Sequence, residues 1–314
     1  MILCSGENLI DNVPIKGSKD SYKACVGGSP LNTALSLGKL KIPIYFFSRI
    51  SNDFFGKKII DLLNKNNVNT SLAQRSNDPT TIGFINIDKR NTEFTFFANQ
   101  TSDRNLTNYY FPTNFKKKIK LAHFSSISLV LKPGSETYFK MMRDLSKYCL
   151  ISIDPNIRKN LIEDKIFFKK RFNNFLNIAD IIKLSDEDFS YFYNIKRADK
   201  IIPKWLSKYK VKFVILTFGN KGSKIYTKDF SIKINSLKIK VNDTVGAGDS
   251  YIAGIIAWLY KKNLLEKNQI EKISKKKWFE CLQFASKVAA ITCMRDGCNP
   301  PNLNDLKKIK LTHK

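Results

Sequence analysis

Much is missing from this chain, and each absence narrows what it can be. Its six cysteines, at positions 4, 25, 149, 281, 293 and 298, include no CxxC pair, which argues against a zinc site or a disulfide framework and points to a reducing compartment. The longest apolar run, residues 252–260, falls far short of the ~20 residues that a membrane span needs. The opening MILCSGENLID begins as a short apolar strand rather than a charged leader, so a soluble cytoplasmic protein is expected. Acidic residues are scarce, 27 against 54 Lys and Arg, for a formal net charge of +27. Such an excess suits nucleic acid, an anionic membrane or the gathering of anionic ligands. Yet no arginine-rich arm or nucleic-acid motif accompanies it, and the lysines are spread along the chain together with abundant Asn, Ile and Phe. That is the composition AT-rich coding produces, and no nucleic-acid or membrane partner is expected. No repeat, linker or low-complexity block divides the 314 residues, so one domain over 1–314 is the economical organisation.

What is present alternates. Strand-like segments at 1–5, 44–50, 121–125, 150–154, 181–184 and 213–217 are interleaved with helix-like ones at 30–40, 54–66, 134–147, 167–177, 247–262 and 276–293. A run of short strands is expected from 217 to 241. This order predicts an α/β fold with a mostly parallel sheet covered by helices. Two hairpin-like excursions, near 11–26 and 79–103, break the rhythm, the second turning around Lys89, Arg90 and Asn91. They are expected to pair into a small sheet projecting as a lid, which would exclude water from a site beneath it.

The most informative stretch is NDTVGAGDSY at 242–251. It lies between an alternating segment (Ile232, Ile234, Leu237, Ile239, Val241), which reads as strand, and the apolar run IAGIIAWLY, which reads as buried helix. Gly246, Ala247 and Gly248 therefore fall at a helix N-terminus, where unpaired N–H groups and the helix dipole favour an anion. Asp249 stands beside them, a carboxylate placed to take a proton from a hydroxyl. No GK[ST] follows the glycines, so this is not a Walker P-loop. The alternative reading is a glycine turn with an Asp capping a helix.

The order D-T-x-G-A-G-D-[SA] resembles the C-terminal signature of the ribokinase-like (PfkB) carbohydrate kinases. Further segments resemble the same family in the same order: GENLID at 6–11, GGSPLNTALSLGKL at 27–40, HFSSISL at 123–129, DPNIR at 154–158, IIKLSDEDF at 181–189, LTFGNKG at 216–222 and a closing FASKVAAITCMRDGCNP. Fructokinase is the nearest branch. The resemblance implies a three-layer sandwich with a small β lid, ATP with Mg2+, and in many members a monovalent cation such as K+. Carried over residue by residue, it makes Asp11, Gly27, Gly28, Asn32 and Asn156 sugar-side positions, and Arg158 a cation near the transferring phosphate. Lys183, Ser185, Asp188, Thr217, Gly219, Gly222 and Ser286 become nucleotide-side positions, and Asp243, Val245 and Gly297 a cation loop. Three departures stand out. Ser185 and Asp188 form a shortened version of the family's N-x-x-E; Ser286 replaces the usual Asn; Ala98 stands where fructokinases and ketodeoxygluconate kinases tend to place Arg.

The expected activity is phosphorylation of a sugar, fructose first, by in-line transfer to a hydroxyl deprotonated by Asp249. A 2-keto-3-deoxygluconate kinase or another sugar kinase of the family is the alternative. A catalytically silent binding protein is a further one. A homodimer paired through an exposed edge of the lid fits either enzyme.

Overall fold

The computed structural model describes residues 1–15, 18, 21–88 and 91–311, with side chains 86–93 left aside. Lys89, Arg90 and part of the first expected excursion thus lie outside the described residues. The main sheet has nine strands in the order Ser231–Ile234, Ser223–Tyr226, Phe213–Thr217, Ile181–Ser185, Leu150–Asp154, Leu121–Ser125, Ile2–Ser5, Ile44–Phe47, Val68–Asn69. The seven from Phe213–Thr217 onward pair in parallel. The other two are added by antiparallel pairing at one edge.

The central strands are buried on both faces, and their side chains part with a period of two. Ile2, Leu121, Leu150 and Ile181 enter one core with the helices Ser29–Lys39, Phe54–Lys65, Ala247–Lys261 and Lys275–Cys293. Leu3, Ala122, Ile151 and Ile182 enter the other, against Gly134–Leu145, Lys165–Ile178 and Ala198–Lys208. Helix, sheet and helix make three layers, as the alternation implies.

The two excursions do pair. Leu9–Pro14, Tyr22–Gly27, Thr81–Asp88 and Asn91–Phe97 form a separate four-stranded sheet. Its outer pairings are antiparallel, while the central one, Leu9–Pro14 with Thr81–Asp88, is parallel and joins the two hairpins.

Three expectations need correction. The alternation through Val241 does not make one strand: the strand ends at Ile234 with a single isolated bridge at Leu237 beyond it, and the Asn242 and Asp243 N–H groups go to the Cys293 carbonyl instead. Alternating side chains without a neighbouring strand do not form a ladder. The segment 44–50 is split, because Arg49–Ser51 leaves the main sheet to pair with Gln74–Ser76. The helices Asp186–Phe192 and Ala198–Lys208 were not anticipated. The first starts at a Ser185–Asp188 capping box and the second carries Pro203 inside it.

Candidate active site

Most of the motifs singled out in the sequence lie at the carboxyl end of a parallel strand or the start of a helix, the edge at which open α/β sheets bind ligands; the closing FASKVAAITCMRDGCNP spans the end of the Lys275–Cys293 helix and the loop after it. Gly246 is the N-cap of the Ala247–Lys261 helix at φ 74°, and a Cβ there would lie 2.3 Å from Cys298 Sγ. Both the left-handed backbone and the space demand glycine. The expected three-amide cradle is only partly open. The Ala247 N–H donates to the Thr244 carbonyl at 3.2 Å, while the Gly248 N–H has no backbone acceptor among the described residues.

Asp249, on the first turn, is 6% exposed. Its Oδ1 accepts from Ser29 Oγ at 2.6 Å and its Oδ2 from Asn32 Nδ2 at 2.9 Å. Each carboxylate oxygen keeps a lone pair for a further donor. Burial pushes this carboxyl above the usual range, opposed by the Ser29 and Asn32 hydrogen bonds and by the Lys183 and Arg158 charges. Ser29 and Asn32 arrive from the first turn of the Ser29–Lys39 helix, whose N-cap Gly28 sits at φ 113°.

Asp11 reaches the same space from the lid. A Cβ at Gly27 would lie 2.1 Å from its Oδ2 and one at Gly83 2.8 Å from its Oδ1, so glycines on two neighbouring strands make room for the carboxylate. Burial raises Asp11 to about 6; the Arg158 charge pulls it down and the Asp249 charge pushes it up. Asp11, Arg158 and Asp249 are thus close enough for their charges to act on one another.

Arg158 also faces the lid, with its guanidinium 4.3 Å from the centroid of Phe94. Beside it, Asn160 Nδ2 donates to the Phe94 carbonyl at 2.6 Å. The loop holding them leaves the Leu150–Asp154 strand through Asn156, at φ 41°. Asp188 pins it: one oxygen accepts the Ile157 N–H at 2.7 Å and the other the Ser185 N–H at 2.8 Å. Asp188 and Ser185 therefore spend their polar atoms on backbone.

Lys183 Nζ pairs with Asp154 Oδ2 at 2.6 Å, both side chains nearly solvent-free. A Cβ at Gly248 would lie 3.1 Å from that ammonium, so the cation backs the helix start. Burial pulls Lys183 down, but Asp154, Asp188 and Asp249 together hold it above its ordinary value. Asn32 Oδ1, Asp154 Oδ1 and Arg158 Nε are buried polar atoms with no partner among the described residues. Each such atom costs about 1–3 kcal/mol until something pairs with it, and three at one site fit a polar ligand.

On the far side, Thr217 Oγ1 donates to the Leu184 carbonyl at 3.4 Å. Gly219 and Gly222 have φ of 52° and 94°. Ser286, 9% exposed, stands near Tyr251, whose hydroxyl meets Ser223 Oγ at 2.6 Å. Asp243 accepts the N–H of Val245 at 3.0 Å and of Gly297 at 2.9 Å, so these three form one loop cluster. No group of three or more His, Cys, Asp or Glu among the described residues is placed to hold a metal ion. No helix among them is long and apolar enough to cross a membrane.

Sequence reading passed over Ser29, Asp154, Phe94 and Glu7. Ser29 and Asp154 stand inside quoted motifs. The Phe94 contact spans 64 positions and leaves no local trace.

The pfkB family carbohydrate kinase model matches residues 1–305. A fructokinase of Rhizobium leguminosarum bv. trifolii is 36% identical over 276 residues, covering 87% of this chain and 84% of its own. The probable fructokinase-7 of Arabidopsis thaliana is 30% identical over 311 residues, covering 96% and 89%. Among solved structures, a Xylella fastidiosa fructokinase with bound ATP superposes with a TM-score of 0.88 at 23% identity, covering 98% and 96%. A Vibrio cholerae O395 fructokinase in a fructose, ADP and calcium ion bound form does so at 0.83 and 21%, covering 98% and 97%. The fold is therefore ribokinase-like, and the chain belongs to the pfkB family of carbohydrate kinases, close to the fructokinases.

Proposed function

We propose that this kinase is an ATP-dependent fructokinase, converting D-fructose and ATP to D-fructose 6-phosphate and ADP. The observation that carries the reading is the Asp249 carboxylate, buried at a helix start, facing Asp11 and Arg158 and adjoining the open Gly248 amide. The fructokinase relatives support the choice of sugar. Asp11, Gly27, Gly28, Asn32 and Asn156 line the sugar's seat, and the primary hydroxyl points at Asp249. Asp249 accepts its proton while the hydroxyl oxygen bonds to the γ-phosphorus and ADP departs with the electrons of the broken bond. Gly248 N–H, the positive end of the helix and the Lys183 charge stabilise the phosphoryl oxygens. Arg158 adds its charge from the sugar side.

The nucleotide runs from there towards Thr217, Gly219, Gly222 and Ser286. Mg2+ would come with the phosphates, which suits a cation that keeps its own waters and few protein ligands, and would neutralise their charge. Ser185 and Asp188 act here through the loop they hold. Asp243, Val245 and Gly297 would shape a K+ loop through backbone oxygens. The unpaired cysteines support a cytoplasmic setting, and the outer strands of the lid support a homodimer through it. Sedimentation as a monomer at micromolar concentration would remove the dimer.

A coupled ADP-release assay with fructose, glucose, ribose and 2-keto-3-deoxygluconate side by side tests the reaction. Fructose is expected to give the highest kcat/KM; a higher value for the sugar acid moves the assignment there. Asp249→Asn is expected to lower turnover by ~10²–10⁴-fold, the usual share of a positioned base. Turnover within about threefold of wild type would falsify that role.

A further inference from the structure

Glu7 takes no part in the reaction as described, yet it is 2% exposed at the edge of the site. Backbone amides hold it with no cation among its partners, and burial pushes its carboxyl group up to about 8 against their pull. Its Oε1 accepts the Ser29 N–H at 3.0 Å and its Oε2 the Ser128 N–H at 3.2 Å. Ser29 opens a helix whose N-cap is a glycine with no side chain to offer. A carboxylate from another segment therefore satisfies one of the orphan donors, at the positive end of the helix dipole. The backbone around it is equally close. A Cβ at Gly28 would lie 2.7 Å from the Glu7 carbonyl oxygen, and one at Gly6 2.6 Å from Ser128 Oγ. Ser29 passes the restraint on, since its hydroxyl donates to Asp249 Oδ1 at 2.6 Å.

We infer that Glu7 is a positioning residue for phosphoryl transfer: its carboxylate fixes the turn at Gly28 and Ser29 so that the Ser29 hydroxyl aims the Asp249 carboxylate at the substrate's proton. The inference rests on the role proposed above for Asp249. Two side-chain oxygens are required, because both facing groups are N–H donors; glutamine would turn an NH2 towards one of them.

Steady-state kinetics on Glu7→Gln, Ser29→Ala and the double variant test it, with Asp249→Asn as the reference. Glu7→Gln is expected to lower kcat by about tenfold or more with KM for ATP unchanged, the pattern of a contact that matters in the transition state. Because both changes act on one hydrogen bond, the double variant is expected to be no slower than the slower single one. Glu7→Asp, which keeps the carboxyl group but reaches only one amide, is expected to regain part of the rate. If Glu7→Gln does not accumulate as folded protein, Glu7→Asp and Ser29→Ala complete the same cycle. Losses that multiply in the double variant overturn the inference, as does a rise in KM for both substrates at intact kcat. An inert Asp249→Asn beside multiplying losses removes Glu7 alone, whereas an active Asp249→Asn removes the base itself.

Discussion

Where Asp11, Arg158 and Asp249 face one another, the site is made of charged side chains drawn from the lid, a strand-end loop and a helix start. Where Thr217, Gly219 and Gly222 lie, it is made of the course of the backbone. The Thr217 hydroxyl turns to a main-chain carbonyl, and a Cβ at Gly222 would lie 2.0 Å from the Ile234 carbonyl oxygen. The first arrangement depends on the identity of each side chain, since moving one carboxylate changes the charge felt by the others. The second depends on the loop's path and accepts any side chain that leaves the path alone. On the proposed assignment, a site built this way is exacting towards the sugar and tolerant around the nucleotide.

The comparison can be attacked at four points. The largest effect is expected from Gly246→Val, which forces a branched side chain onto φ 74° and against Cys298; losing the anion seat should cost at least ~10²-fold in kcat. Retained turnover, measured beside a melting curve, would show that the seat lies elsewhere. Next, Asp11→Asn is expected to raise KM for the sugar by ~10–100-fold, the range for a hydrogen bond to a charged group. In wild type the same KM should climb as pH falls through about 6, where Asp11 takes up a proton, and the variant should lose that dependence. A pH-independent wild-type KM would detach Asp11 from the sugar.

Smaller changes are expected on the other side. Gly219→Ala meets nothing within 4 Å but must hold φ 52°, so a cost of ~1–2 kcal/mol in stability should come with only a few-fold change in KM for ATP. A collapse of activity there would make the nucleotide side as exacting as the sugar side. Smallest of all, Ser286→Asn is expected to lower KM for ATP by ~2–5-fold, the worth of about one neutral hydrogen bond. No change would mean that Ser286 is committed to Tyr251 and not to the nucleotide.

The main sheet was legible because its central strands are short, continuously apolar and separated by helical periodicity; Leu121–Ser125, Leu150–Asp154 and Phe213–Thr217 match their expected limits. The lid was legible as an interruption of that rhythm. Position 185 shows where legibility fails. Ser185 and Asp188 resemble a ligand motif, yet the same spacing is a helix-starting capping box, and the local sequence does not separate the two. The helix from Ala198 was hidden by Pro203, which lies inside it, where a proline removes one internal hydrogen bond and reads as a helix breaker. Glu7 stayed silent because its partners come from distant segments, Ser128 being 121 residues away. The couplings among Asp11, Arg158 and Asp249 are likewise products of the fold. Sequence motifs name the groups, and only packing tells which of them meet.

One contact binds the two sheets into a single response. Phe94 belongs to the small sheet and Arg158 to a loop of the large one, so the aromatic ring is the face on which the guanidinium rests. Were the small sheet to swing outward, the ring would leave with it and the cation would be handed back to solvent. On the proposed reading, entry of a sugar beneath the closed sheet would therefore also set the charge that awaits the phosphate, tying the timing of one substrate's arrival to the readiness of the other's.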